Sequence, residues 1–171
     1  IVGACLLRAI SEVLGSEIAT PEVMSAWGAA YGQLADILIG AEAAIYDEKA
    51  QAPGGWRGAR PFTLVKRVEE SAEITSFYFA PVDNGPILAA EPGQYIGLKL
   101  LIDGEEVRRN YSLSARTDAG LYRISIKREA GGRVSNYLHD QMHVGATIDL
   151  FPPSGEFTLV PSDKPLVLLA S

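Results

Sequence analysis

The chain has 171 residues, with 15 Lys and Arg against 21 Asp and Glu, for a formal net charge of −6. That acidic balance argues against a nucleic-acid-binding protein, which reads basic. At 47% apolar and 21% charged the composition is globular rather than disordered, and no stretch reaches the roughly 18 apolar residues of a membrane span.

Cys5 is the single cysteine. It allows no internal disulfide and no redox pair, so a reducing compartment, most simply the cytoplasm, is expected. His139 and His143 are spaced i,i+4 without a third ligand in view, so no metal site is expected.

Composition shifts near residue 52. Residues 1–52 hold twelve alanines and one proline, Pro21, while residues 1–55 carry two basic against seven acidic residues. Ile1, Val2, Leu6, Ile10, Val13 and Leu14 recur at helical spacing, and Gly15 supplies a stop. Thr20-Pro21-Glu22 reads as an N-cap, a first helical proline and a first-turn acid. The stripe Val23, Trp27, Tyr31, Leu34, Leu38, Ala41 and Ile45 then predicts a helix to about Tyr46. The short link makes the two helices antiparallel neighbours. They cannot bury both stripes on each other, so further helices or a partner are expected to cover the rest. The chain also opens at Ile1 inside an apolar-periodic run and stops at Ser171 after another, so both ends are expected to be cut.

Residues 51–60, around Pro53-Gly54-Gly55-Trp56, read as a linker. Beyond it, Thr63–Val68, Ile74–Ala80, Gln94–Leu101, Val107–Ser114, Leu121–Lys127, Thr147–Phe151 and Phe157–Val160 read as short strands separated by turn residues. Hairpin-length gaps favour an antiparallel sheet closed as a barrel, interrupted by one helix near Val134–Gln141. Pro165–Ala170 is apolar on both faces, like the first strand of a parallel sheet.

The most informative run is Arg109-Asn110-Tyr111-Ser112. In a strand, Arg109 and Tyr111 share one face, and Asn110 and Ser112 the other. A second run, Lys127 to Asn136, feeds a strand through Gly131-Gly132 into a helix start, whose free N–H groups and dipole suit a phosphate. Residues 99–133 hold eight basic and five acidic residues, a basic patch in an acidic chain. Together these suggest a pyrophosphate on the glycine turn, gripped by Arg109, with a planar ring against Tyr111.

Arg109-Asn110-Tyr111-Ser112, Gly132-Arg133-Val134-Ser135 and Pro153-Ser154-Gly155-Glu156-Phe157 in this order resemble the ferredoxin-reductase-type FAD-binding barrel. The resemblance implies that Tyr111 packs on the isoalloxazine, Ser112 reaches flavin N5 and Arg109 binds the FAD pyrophosphate, with Asn110 and Tyr95 among the cofactor contacts. It likewise assigns Gly132, Val134 and Ser135 to the pyrophosphate turn. Trp27…Tyr31…Leu34-Ala35-Asp36, Glu42…Tyr46 and Pro53-Gly54-Gly55-Trp56 narrow the resemblance to flavohaemoglobins, which are nitric oxide dioxygenases.

The implied architecture is an α+β multi-domain fragment. Residues 1–50 would be the last two globin helices, 61–161 the FAD-binding β-barrel and 162–171 the first strand of an NAD-binding α/β domain. Glu42 would act in the proximal haem network. In the full protein, reducing equivalents would pass from NAD(P)H through FAD to haem, where nitric oxide and O2 give nitrate. Residues 1–55 hold no histidine for haem, and the nicotinamide-binding turn would follow Ser171, so this chain alone is expected to bind FAD without turnover. Two alternatives stay open: another ferredoxin-reductase-type oxidoreductase with a non-globin helical preface, and a non-catalytic interaction domain.

Overall fold

The computed structural model describes residues 1–117, 120–159, 162, 163, 165 and 167. The chain forms two compact units, Ile1–Glu48 and Lys49–Ser171.

The first unit holds α1 (Val2–Leu14) and most of α2 (Pro21–Gln51). Gly15 follows α1 at φ +72 and donates its N–H to Ser11 O at 3.1 Å, a helix end that favours glycine. Thr20 Oγ1 accepts the Val23 N–H at 3.4 Å, with Pro21 as the first helical residue. The expected antiparallel crossing forms on small residues: the Tyr31 ring lies against Gly3, where a Cβ would stand 2.6 Å from it, and Leu7 lies against Gly28. Neither helix buries a residue. Trp27, Leu34, Leu38 and Ile45 stay 48–60% exposed, so α1 leaves the α2 stripe uncovered. α2 runs to Gln51, five residues past the expected end, until Pro53 makes further helix unfavourable.

The second unit is built on six strands: β1 (Arg60–Glu69), β2 (Ile74–Pro81), β3 (Tyr95–Ile102), β4 (Glu105–Ser112), β5 (Tyr122–Lys127) and β6 (Thr147–Leu150). They form one antiparallel sheet in the order β4-β3-β6-β1-β2-β5. Alternate residues supply the core: Phe62 and Leu64, Phe77 and Phe79, Ile96 and Leu98 are all fully buried, the period-2 pattern of a one-sided sheet. α3 (Arg133–Asp140) adds Val134 and Leu138 to that core. His139 is buried with Nε2 3.0 Å from Ile126 O. His143 is exposed.

The closed barrel expected from the sequence is corrected to an open sheet. Among the described residues the two edge strands share backbone bonds only past the end of β4, at the Leu113–Ile124 bridge and the Ser114 N–H to Arg123 O bond of 2.9 Å. The reason lies in β4 itself. Its core-side positions run Val107, Arg109, Tyr111, opposite Leu100, Leu98 and Ile96, and only Val107 is buried. A dry seam cannot be built on a guanidinium. A second correction concerns Phe157–Val160: Phe157–Leu159 form no strand, and Phe157 is 94% exposed. Val160 lies outside the described residues, as does most of the strand expected over 162–171. No helix among the described residues is long and apolar enough to cross a membrane.

Two ion pairs with surface carboxylates make a modest part of this fold's stability acid-sensitive. The Arg60 guanidinium bonded to Asp83 and that of Arg128 bonded to Asp140 hold both carboxyls below their ordinary 3.8. The unfolded chain therefore takes up these protons first as pH falls. The stabilisation is complete above about pH 5 and is lost as pH drops through the folded values. Urea midpoints should be flat near neutrality and fall below about pH 4. Asp83→Asn with Asp140→Asn should shrink that fall, and an unchanged acid limb would refute the assignment.

Candidate cofactor site

β4 carries the motif residues at the edge of the sheet, where one row of backbone N–H and C=O groups has no neighbouring strand. Pairing with β3 sets the faces. Tyr95 stands opposite Ser112 and Gly97 opposite Asn110, while Ile96 faces Tyr111 and Leu98 faces Arg109. Tyr95, Asn110 and Ser112 thus share the outer face, and Arg109 and Tyr111 the core-side face. A ligand lying along the free edge meets side chains from both faces and the backbone row between them. Arg109 and Tyr111, two residues apart, repeat at about 7 Å.

Arg109 is exposed, and its Nη1 donates to Arg108 O at 2.7 Å. The cations on and around β4 are committed to acids: Lys99 to Asp149 at 3.0 Å, Arg108 to Glu106 at 2.7 Å and Arg133 to Glu105 at 2.6 Å. Arg109 has no acidic partner among the described residues, which leaves its charge available to an anion. Tyr111 is half-buried against the core. Burial pushes its phenol above the ordinary 10, opposed by the Arg109 charge, so the ring is neutral at physiological pH. On the outer face Gly97 makes room for the side chains packed over it. A Cβ there would stand 3.3 Å from both Asn110 Oδ1 and the Phe151 ring.

The glycine turn precedes α3. Gly132 is its N-cap without a side-chain cap, so first-turn N–H groups lack a capping acceptor. Val134 and Ser135 turn their side chains inward: Val134 joins the core, and Ser135 Oγ accepts the Glu129 N–H at 3.2 Å and donates to Gly132 O at 3.3 Å. What they can offer a phosphate is backbone N–H. Asn136 Nδ2, which the sequence reading passed over, donates to Gly132 O at 2.7 Å and Glu129 O at 2.9 Å and so locks the turn. Its signal was its place directly after the Gly-x-Val-Ser run. Arg133 Nη2 also donates to Ile102 O at 2.9 Å. The start of α3 is therefore tied to the β3–β4 turn and to Glu105 at the start of β4, the strand that carries Arg109.

A second passed-over residue is Gly155, beneath the Tyr95 ring. Its signal was the Pro153-Ser154-Gly155 run, but no local pattern names Tyr95 as its neighbour. A hollow of about 740 Å³ opens just beyond Ser112, between Ile87–Gly93 and Leu113–Thr117, and none of the predicted site residues lines it. Glu42 lies in the other unit, on α2, where its Oε1 accepts the Tyr46 hydroxyl at 2.6 Å on an exposed face. Among the described residues no group of three or more His, Cys, Asp or Glu is arranged to hold a metal.

A glycine turn without a side-chain cap, beside an edge strand bearing an arginine and a half-buried tyrosine, suits a flavin nucleotide. Residues 61–159 match the oxidoreductase FAD-binding domain model, and the chain belongs to that family. The chain is 72% identical to a flavohemoprotein of Pseudomonas putida over 99% of its own length and 43% of that relative. Its particular kind is thus the FAD electron-transfer module of a flavohaemoglobin. It is similar to the flavohemoglobin of Malassezia yamatoensis solved with bound FAD and heme (TM-score 0.75, 30% identity, 90% of this chain, 38% of that one). The flavohem-like FAD/NAD-binding domain of the Vibrio cholerae nitric oxide dioxygenase is similar at TM-score 0.61 and 40% identity (64% of this chain, 49% of that one). The chain spans less than half the length of the flavohemoproteins it matches. The residues present fit FAD: a pyrophosphate needs the available guanidinium and the uncapped turn, and a flavin ring needs a neutral, half-buried aromatic such as Tyr111.

Proposed function

We propose that this module serves a nitric oxide dioxygenase, taking electrons from NAD(P)H and delivering them to a haem that works on nitric oxide and O2. The observation that carries the reading is the likeness to the Malassezia flavohemoglobin over 90% of the chain. That extends past residues 61–159 into the helices. On this reading the domains fall at 1–50, 51–60, 61–161 and 162–171. α1 and α2 close a globin domain, which supplies the cover their exposed stripe lacks.

FAD, when bound, accepts a hydride and releases electrons singly. This chain's own residues do the placing. Arg109 and the Gly132, Val134 and Ser135 backbone hold the pyrophosphate. Tyr111 and Tyr95 flank the ring system, Asn110 adds a polar contact on the outer face, and the Ser112 hydroxyl donates a hydrogen bond to flavin N5. Glu42, braced by Tyr46 at 2.6 Å, would belong to the proximal haem network of the full protein, where a fixed carboxylate would orient its neighbours by hydrogen bonding. A cytoplasmic location suits this chemistry and the single thiol.

The test uses the full-length protein. It should consume nitric oxide in an NAD(P)H- and O2-dependent way. Ser112→Ala should keep FAD at full occupancy while slowing flavin reduction roughly tenfold, the cost of about one hydrogen bond to the reacting atom. Unchanged reduction kinetics would remove the N5 contact, and absence of nitric oxide consumption would remove the dioxygenase reading.

A further inference from the structure

The segment after β6 pairs with the first residue of β3 through two main-chain bonds at Ser154. The Tyr95 N–H donates to Ser154 O and the Ser154 N–H donates to Tyr95 O, both at 2.9 Å. The next residue, Gly155, has φ +116, which side-chain-bearing residues rarely adopt. A Cβ on Gly155 would stand 3.2 Å from both Cδ1 and Cε1 of Tyr95, inside the 3.5–4.0 Å optimum for carbon contacts. Gln94 Nε2 fastens the same point by donating to Gly155 O at 3.3 Å. Gly93, at φ +105, does the reciprocal job: the Phe157 carbonyl occupies the space a Cβ on Gly93 would need. One side of the Tyr95 ring therefore rests on bare backbone. The ring remains 37% exposed.

We infer that Gly155 is a positioning residue: it seats the Tyr95 ring at the height and tilt required to contact the flavin nucleotide. The inference rests on the Tyr95 contact proposed above. Any side chain at 155 lifts the ring toward the ligand's space. The strand pairing at Ser154 prevents the backbone from retreating to compensate. The Pro153–Phe157 segment thus acts on the cofactor through Tyr95 rather than by touching it.

A double-mutant cycle on the full chain tests this, with FAD affinity read from quenching of flavin fluorescence. Gly155→Ala should weaken FAD about tenfold, a shift of about 1.4 kcal/mol. Tyr95→Ala should weaken it by a similar factor. The double variant should match Tyr95→Ala alone, because the seat has nothing left to position. Multiplying effects would overturn the inference, since simple backbone strain at residue 155 persists without the ring. No effect of Gly155→Ala would also overturn it. If Tyr95→Ala leaves affinity unchanged, the Tyr95 contact itself is refuted, and Gly155 loses its role with it. Should Gly155→Ala fail to fold, the double variant decides: recovered folding supports a ring clash, and continued unfolding overturns it.

Discussion

Arg109→Ala should weaken FAD binding by about 2–3 kcal/mol, roughly 30- to 150-fold. The estimate follows from what the guanidinium is free to do. It is exposed, its Nη1 is bonded to a neighbouring carbonyl and it has no acidic partner among the described residues. Its planar fork can meet a phosphate with two parallel charge-assisted hydrogen bonds. Arg109→Lys keeps the charge but loses the fork, so it should recover only part of the affinity. Raising the salt should narrow the gap between wild type and Arg109→Ala, because an exposed charge is screened. The folded state should barely respond, within about 0.5 kcal/mol, since nothing buried is removed. Equal FAD affinity in wild type and Arg109→Ala, measured by fluorescence titration, would remove Arg109 from the site.

The alternation of the Arg109-Asn110-Tyr111-Ser112 run was legible because a strand's period of two needs no partner to be read. It placed two residues on each face, as the β3–β4 register does. The consequence for closure was not legible. The same alternation points Arg109 and Tyr111 toward the core side, but whether β4 is covered there depends on β5, which chain pattern alone does not position. Gly155 was read as part of a motif, yet its neighbour Tyr95 lies sixty residues away, and only the Tyr95–Ser154 pairing brings them together. The stripe on α2 was legible as a helix face. That α1 cannot cover all of it was expected from counting faces: Tyr31 packs against α1, while Trp27, Leu34, Leu38 and Ile45 are about half exposed or more. Phe157–Leu159 failed as a strand because aromatic and β-branched composition only says that a segment fits a pleated surface. Here Gly93 and Gly155 hold that stretch against β3 by main-chain approach instead.

Trp56→Ala should destabilise the second unit by about 3–5 kcal/mol. Trp56 belongs to a stretch that reads as linker, yet its side chain is only 9% exposed. Its ring centroid lies 5.5 Å from Phe62 and 6.2 Å from Tyr122, and Phe62 lies 5.6 Å from Tyr122. Three tilted rings in mutual contact leave a large cavity when one is removed. The Arg60 guanidinium sits 5.5 Å from the same indole and would lose a cation–π contact. Nε1 donates to Leu150 O at 3.2 Å, so alanine also strands a carbonyl at the end of β6. Trp56→Phe keeps most of the packing and loses that donor, so it should cost about 1–2 kcal/mol. The damage has a direction: β6 lies between β1 and β3, and β3 carries Tyr95. Trp56→Ala should therefore lower the urea midpoint first and FAD occupancy only as the fold is lost, the reverse of Arg109→Ala. A loss of stability below about 1 kcal/mol would mean that the ring cluster does not anchor this end of the sheet.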